Sequence, residues 1–177
     1  MKLRALKAQD STHMLTWMHD EELVRYMEKD FRSMTLEDCI RFIESTQYTK
    51  DNLHLAIVDI DDVYHGTVSL KNIADDMAEF GIVMCRNAHG TGMAAEAMRE
   101  ILRMGFDEMG IRTVYWYLRP TNIRALSFYD KNGYTRINIR QNGRIKDAAV
   151  SSGMPASDIS KYVWYIAAAS QYVPRLI

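Results

Sequence analysis

The spacing of apolar residues changes twice along the chain, and each change predicts an element type. Leu3 to Leu6 read as a short first strand. Asp10-Ser11 is a helix cap, after which Met14, Leu15, Trp17 and Met18 form an apolar face. A second short helix is expected over about 20–29. Thr35-Leu36-Glu37-Asp38 is a capping-box pattern, and Leu36, Cys39, Ile40 and Ile43 recur at helical spacing behind it. From Leu53 the chain becomes β-rich. Leu53 to Ile60, Val63 to Ile73 and Met77 to Cys85 predict three strands, the first two joined by a turn at Asp59, Asp61 and Asp62.

The helical period then returns. Ala94, Ala97, Met98, Ile101 and Leu102 share one face of a long helix that ends near Gly110. Thr113 to Leu118 is the most strand-like run in the chain. Pro120 and Asn122 open a further helix, closed at Asn132-Gly133. Tyr134 to Arg140 and Lys161 to Ala167 read as final strands, with Ser151 to Ser160 between them as a mobile loop. Neither a repeat nor a Pro/Gly-rich linker divides the chain, so residues 1–177 are expected to form a single domain. The order of elements predicts a mixed α/β sheet with helices covering its faces.

Composition narrows the function. At 177 residues, 47% hydrophobic and 25% charged, the chain has the makeup of a globular domain. A formal net charge of −1 argues against nucleic-acid or polybasic membrane binding. That near-balance hides an asymmetry: residues 1–88 carry a net −6 and residues 89–177 a net +5. The second part is the place to look for an anionic ligand. Cys39 and Cys85 lack metal or disulfide spacing, and the five histidines are scattered, so no metal site is expected. No signal-peptide core or membrane-length apolar run is visible, and the expected location is cytoplasmic.

The sharpest local signal is Met84-Cys85-Arg86-Asn87-Ala88-His89-Gly90-Thr91-Gly92-Met93-Ala94, a strand end, a turn of small residues and a helix start. Unpaired N–H groups at a helix start, with the positive end of its dipole, make an anion site. Gly90 and Gly92 let a diphosphate approach the backbone. A strand-to-helix connection that simply needs glycines is the alternative, and the GKS or GKT of a nucleotide-hydrolysing P-loop is absent.

Residues 89–94 resemble the acetyl-CoA loop of the GNAT family (Gcn5-related N-acetyltransferases), Q/R-x-x-G-x-G/A, with His89 in the usual Gln/Arg position. Ala78-Glu79-Phe80-Gly81-Ile82 and Ala95-Glu96-Ala97-Met98 resemble flanking segments of its ribosomal-protein acetyltransferase (RimJ/RimL-like) branch, as does Trp17-Met18-His19-Asp20. Asn122 to Tyr134 is similar to the second family signature, N-x-x-A-x-x-x-Y-x-K-x-G-F. The likeness spans about 5–135. It implies an α+β domain, a GNAT-like mixed, mostly antiparallel sheet flanked by helices, with a V-shaped splay between two central strands.

The activity so implied is direct transfer of acetyl from acetyl-CoA to an amine. Backbone N–H groups of His89, Gly90, Thr91, Gly92, Met93 and Ala94 would bind the diphosphate, and Met84, Cys85 and Arg86 would pair with the pantetheine arm as an added strand. The change to His89 should cost little, and a charged imidazole would favour the diphosphate. An N–H at Met84 would polarise the thioester carbonyl, a contribution of about 3–4 kcal/mol for one such donor. Glu79 is the candidate general base, against the alternative of a surface glutamate or a substrate anchor. Tyr129 is the candidate acid for the leaving thiolate, against a core aromatic. Asn122 serves as helix cap, cofactor partner or both. Arg119 and Arg124 are candidate outer contacts, against ordinary solvated arginine. Cys85 reads as a buried small hydrophobe rather than a covalent nucleophile.

The acceptor would lie over the N-terminal helices near Trp17, Asp20, Tyr26 and Phe31, under the 151–160 loop. The negative charge of residues 1–88 favours a cationic amine. Expected partners are a small-molecule amine (amino sugar or sugar nucleotide, polyamine, antibiotic) or a protein N-terminus, and a second copy in a homodimer. A non-catalytic acyl-CoA-binding or scaffold domain of the same fold is the alternative.

Overall fold

A computed structural model describes residues 1–46 and 49–172. Seven strands form one sheet: β1 (Lys2–Ala5), β2 (Leu53–Val58), β3 (Tyr64–Ala74), β4 (Met77–Met84), β5 (Thr113–Leu118), β6 (Thr135–Ile137) and β7 (Val163–Ala168). Their order is β1-β2-β3-β4-β5-β7-β6. All neighbours are antiparallel except β4 and β5, which run parallel. Their ladder holds just three pairs, Met77↔Thr113, Ala78↔Val114 and Glu79↔Tyr115. Both strands continue past that point, β4 along β3 to Met84 and β5 along β7 to Leu118. A gap opens between them. The sheet is therefore mixed, mostly antiparallel and splayed at its centre.

Helices cover both faces. On one, α4 (Met93–Arg103) and α5 (Ile123–Lys131) bury Ala97, Met98, Ile101, Leu126 and Tyr129 against Val68, Leu70, Phe80 and Trp116. On the other, α1 (Ser11–Met18), α2 (Glu21–Val24) and α3 (Leu36–Thr46) pack Met14, Trp17, Val24, Cys39 and Ile43 onto Ala56, Val58 and Tyr64. On that same face but beyond the gap, α6 (Gly143–Ser151) lays Ile145 and Ala149 against Tyr115 and Trp164.

Local chemistry sets most boundaries. Thr35 Oγ1 accepts the Asp38 N–H at 3.2 Å while Asp38 Oδ2 accepts the Thr35 N–H at 2.8 Å, the reciprocal cap that the sequence predicts for α3. Asn122 Oδ1 accepts the Ala125 N–H at 3.2 Å and starts α5. Asp10 is almost wholly buried and takes both Nη atoms of Arg4, at 2.7 and 2.9 Å. Arg4 Nε also donates to Asp62 at 2.6 Å, which ties β1 and the start of α1 to the β2–β3 turn. Removing one member of such a buried pair strands the other charge, at a cost of about 3–5 kcal/mol.

Four elements differ from the sequence expectation. The helix expected over 20–29 ends at Val24, because 25–30 offers no apolar stripe and Asp30 caps its own short turn at Phe31–Ser33. The strand expected to Arg140 ends at Ile137, where the Asn138 side chain accepts the Arg140 N–H at 3.1 Å and starts a turn. Helix α6 was not foreshadowed, although Ile145 and Ala149 stand at helical i,i+4 spacing. The expected mobile loop at 151–160 is a series of turns pinned by Ile159, whose side chain is buried and whose carbonyl accepts Trp164 Nε1–H at 2.9 Å.

His54 provides a test of the packing. Its Nδ1 lies 2.7 Å from Ser69 Oγ, and Phe42 meets its ring edge-on. Burial, with a smaller push from the Lys71 ammonium, lowers its pKa from 6.5 to about 4. Between these values the folded state binds fewer protons than the unfolded chain, so stability rises with pH through that window and is lost on acidification. Thermal melts from pH 7 to 4.5 are expected to fall, and His54→Gln should flatten that slope.

Candidate functional site

The gap between β4 and β5 sets the site. Cys85 N–H donates to His65 O at 2.8 Å, so Cys85 faces β3 with its backbone. Strand alternation then turns the N–H and C=O of Met84, Ile82 and Phe80 towards the gap, where β5 no longer pairs with them. A cleft of about 770 Å³ adjoins these groups. Its walls are the end of β4, the 86–95 turn, residues 121–132 around α5, and Leu23, Tyr26 and Met27 from α2 and the turn after it.

The glycine turn forms the cleft's upper wall. Gly90 and Gly92 have φ of +79° and +86°, and a Cβ at either would touch nothing within 4 Å. The left-handed backbone, rather than crowding, calls for glycine here. The N–H groups of Gly90, Gly92 and Ala94 have no acceptor among the described residues. Thr91 Oγ1 donates to Ala88 O at 2.7 Å, and the Met93 N–H reaches Thr91 Oγ1 at 3.4 Å. His89 Nε2 lies 3.2 Å from Met84 O, which assigns the proton to Nε2. Burial, then the positive charges of Arg124 and Arg86, lower the His89 pKa. The neutral imidazole is thus favoured at pH 7 over the charged form that would attract an anion.

Tyr129 lines the cleft from below, packed against Trp116 at 5.2 Å and Tyr165 at 5.4 Å. Its hydroxyl has no hydrogen-bond partner among the described residues. Burial pushes the phenol well above its usual 10, so it keeps its proton at neutral pH. Asn122 also lines the cleft, with Oδ1 occupied as the α5 cap.

Glu79 lies on the opposite face, at the last β4–β5 rung. Phe80 points into the α4/α5 core, so its strand neighbour Glu79 faces the side covered by α3 and α6. It is 7% exposed, with Oε1 accepting Lys71 Nζ–H at 2.6 Å and Oε2 accepting Asn72 Nδ2–H at 3.0 Å. Burial, and after it the Glu79 charge, raises the phenols of Tyr115 and Tyr117.

The remaining predicted residues are scattered. Trp17 is interior, 4% exposed, its Nε1–H donated to Tyr64 OH at 3.2 Å. Asp20 caps α2 and takes Arg86 Nε and Nη2 at 2.8 and 2.6 Å. Arg86 thereby spends its side chain on α2, with a further bond to Glu22 at 2.8 Å. Tyr26 lines the cleft beneath the Arg25 guanidinium, and Phe31 lines a separate hollow. The Cys85 side chain packs towards the α1/α3 core, and burial pushes its thiol up to about 11. The two candidate arginines part company. Arg124 lines the cleft without a carboxylate partner among the described residues, whereas Arg119 is bound to Glu28 on the other face. The Lys71 and Asn72 partners of Glu79 were not read from the sequence, although Lys71 stands eight positions away across a hairpin. Among the described residues no cluster could hold a metal ion, and no helix is long and apolar enough to cross a membrane.

Residues 1–135 match the acetyltransferase (GNAT) domain family, and the chain belongs to that family. Its members move acetyl from acetyl-CoA to an amine. The chain is 22% identical over 130 residues to the acetyltransferase PseH of Campylobacter jejuni, covering 73% of this chain and 80% of that one. It is 25% identical to an uncharacterised N-acetyltransferase, p20, of Bacillus licheniformis, over 86% of this chain and 91% of the relative. Among solved structures it resembles a Vibrio cholerae spermidine N-acetyltransferase bound to CoA and spermine, at TM-score 0.70 and 18% identity, covering 77% and 82% of the two chains. A GNAT acetyltransferase of Bacillus anthracis aligns at TM-score 0.72 and 18% identity over 96% and 95%.

Gly92→Ala forces a β-carbon onto a left-handed residue, at a cost of about 1–2 kcal/mol. Since that carbon meets no neighbour, the expected result is an unfolding free energy lower by that amount in urea titration, with an unchanged circular dichroism spectrum.

Proposed function

We propose that the protein is an acetyl-CoA-dependent N-acetyltransferase of the RimJ/RimL-like branch, acting on a primary amine of a small molecule or a protein N-terminus. One observation carries this reading. Free backbone donors at Gly90, Gly92 and Ala94, the gap-facing Met84 N–H and the protonated Tyr129 phenol all border one cleft, while Glu79 stands across the sheet at the last rung.

Acetyl-CoA, when bound, supplies the activated acetyl thioester. The residues present suit it: Arg124 and the N–H groups of 89–94 would hold the phosphates, and the unpaired edge of β4 at Ile82 and Met84 would take the pantetheine amides. Met84 N–H, aimed into the gap, would polarise the thioester carbonyl. Glu79 takes a proton from the acceptor's ammonium. Because both of its oxygens already accept bonds, it acts through water or after one partner exchanges. Tyr129, holding its proton, would deliver it to the departing sulfur. Acceptor and cofactor then approach from opposite faces of the sheet and meet in the gap. A non-catalytic scaffold would have no use for an unpartnered phenol inside the cleft.

The test is release of free CoA thiol from acetyl-CoA on adding a panel of amino sugars, polyamines, aminoglycosides and N-terminal peptides. Tyr129→Phe is expected to lower turnover by about 10²-fold with little change in KM for acetyl-CoA. A near-normal rate would remove Tyr129 from the chemistry. Glu79→Gln should depress turnover by about 10²–10⁴-fold and alter its pH profile. Arg124→Ala should instead weaken CoA binding by about 10-fold, an effect that salt in the wild type reproduces. A protein whose melting temperature acetyl-CoA does not raise would contradict both enzyme and scaffold.

A further inference from the structure

On the Glu79 face, at the mouth of the gap, one cluster plays no part in the chemistry above. Glu28, on the turn after α2, accepts two hydrogen bonds on Oε1: from Arg119 Nη2 at 2.7 Å and from Tyr162 OH at 2.6 Å. Arg119 directly follows β5 and Tyr162 directly precedes β7, and the pair Leu118↔Val163 sets them side by side. The Arg119 guanidinium carbon lies 6.0 Å from the centre of the Tyr162 ring. Tyr162 in turn meets Tyr117 edge-on at 5.1 Å. Tyr117 lies two residues beyond Tyr115, the β5 partner of Glu79, and so on the same face of the sheet as that carboxylate.

A carboxylate, a phenol and an aromatic face gathered around a guanidinium make a seat for a cation. Here the chain's own side chain fills it. Glu28 and Arg119 are both about half-exposed, so the pair is weak and exchanges readily. The segment that carries Glu28 stays attached when the pair opens. Its other end is held by Arg86, which donates three bonds to Asp20 and Glu22.

We propose that Glu28, with the ring of Tyr162, is the specificity-determining seat for a second cationic group on the acceptor, an alkylammonium or guanidinium, which binds by displacing Arg119. The proposal rests on the acetyl-transfer reading and specifies its acceptor: a diamine, or an amine carrying a guanidinium. The amine to be acetylated lies at Glu79 and the second cation at Glu28, on the same face of the sheet.

Two probes of equal length isolate the second charge: 1,4-diaminobutane and 4-amino-1-butanol. Their dissociation constants are measured by calorimetry on CoA-loaded and CoA-free wild type, Glu28→Gln and Arg119→Ala. The wild type is expected to prefer the diamine by about 10-fold. Arg119→Ala, with the internal competitor gone, should raise that preference several-fold, and Glu28→Gln should abolish it. Mere loosening of the segment would shift both variants in the same direction. An equal preference in wild type and Glu28→Gln, or one that does not rise in Arg119→Ala, would overturn the proposal. CoA affinity is read from the same samples, which separates the two readings. CoA binding without diamine preference rejects the seat alone, whereas diamine preference without CoA binding rejects the acetyl-transfer reading and leaves a diamine site with no acceptor role.

Discussion

A backbone edge inside a protein needs partners, and the β4–β5 ladder stops supplying them after Glu79 and Tyr115. Each strand keeps a full neighbour on its outer side, β3 for β4 and β7 for β5, so neither can turn to close the gap. Phe80, Trp116 and Tyr129 fill the α4/α5 face below it with rings 5.2 to 6.5 Å apart. The gap cannot collapse without displacing them, because a packed aromatic cluster has no spare volume. What remains is an edge of N–H and C=O groups open to a cleft on one face and to a buried carboxylate on the other. The glycine turn, the neutral His89 and the protonated Tyr129 matter because they border that edge.

Electrostatics follow the fold rather than the chain halves. The −6 and +5 halves suggest an acidic acceptor side and a basic cofactor side. In three dimensions most of the acidic groups near the site are spoken for: Asp20 and Glu22 by Arg86, Glu21 by Arg32, Glu28 by Arg119, Glu79 by Lys71. Several partners come from the same half, so the net count says little about local field. The charge left over is cationic. Arg124, without a carboxylate partner among the described residues, sits on the cleft wall beside the glycine turn, where an anionic ligand would meet it.

The site also separates its tasks by burial. Tyr129 and Glu79 are interior, and packing and hydrogen bonds hold their side chains in place. Glu28 and Arg119 are partly solvated, and their pair binds weakly enough to rearrange. Fixed groups near the gap and exchangeable ones at its mouth are the division expected where chemistry needs precision and entry needs motion.

Features that depend on neighbours within one helical turn were legible in the residues: the Thr35–Asp38 cap, the Asn122 cap, the glycine turn at 90–92, the apolar stripe of α4 and the strands from Leu53 to Met84. They were legible because a cap or a period is satisfied by atoms three or four positions away. The 20–29 helix was overread, and α6 was missed, where charged residues blur that period. Partner choice was not legible. Trp17 and Tyr26 look alike as aromatic candidates, yet one lies in the core and the other on the cleft. Arg119 and Arg124, five positions apart, serve opposite faces. Glu28 and Tyr162 meet across 134 positions. Such pairings depend on which strands lie side by side and where one ladder ends, and that is settled by the packing of the whole chain, not by any window within it.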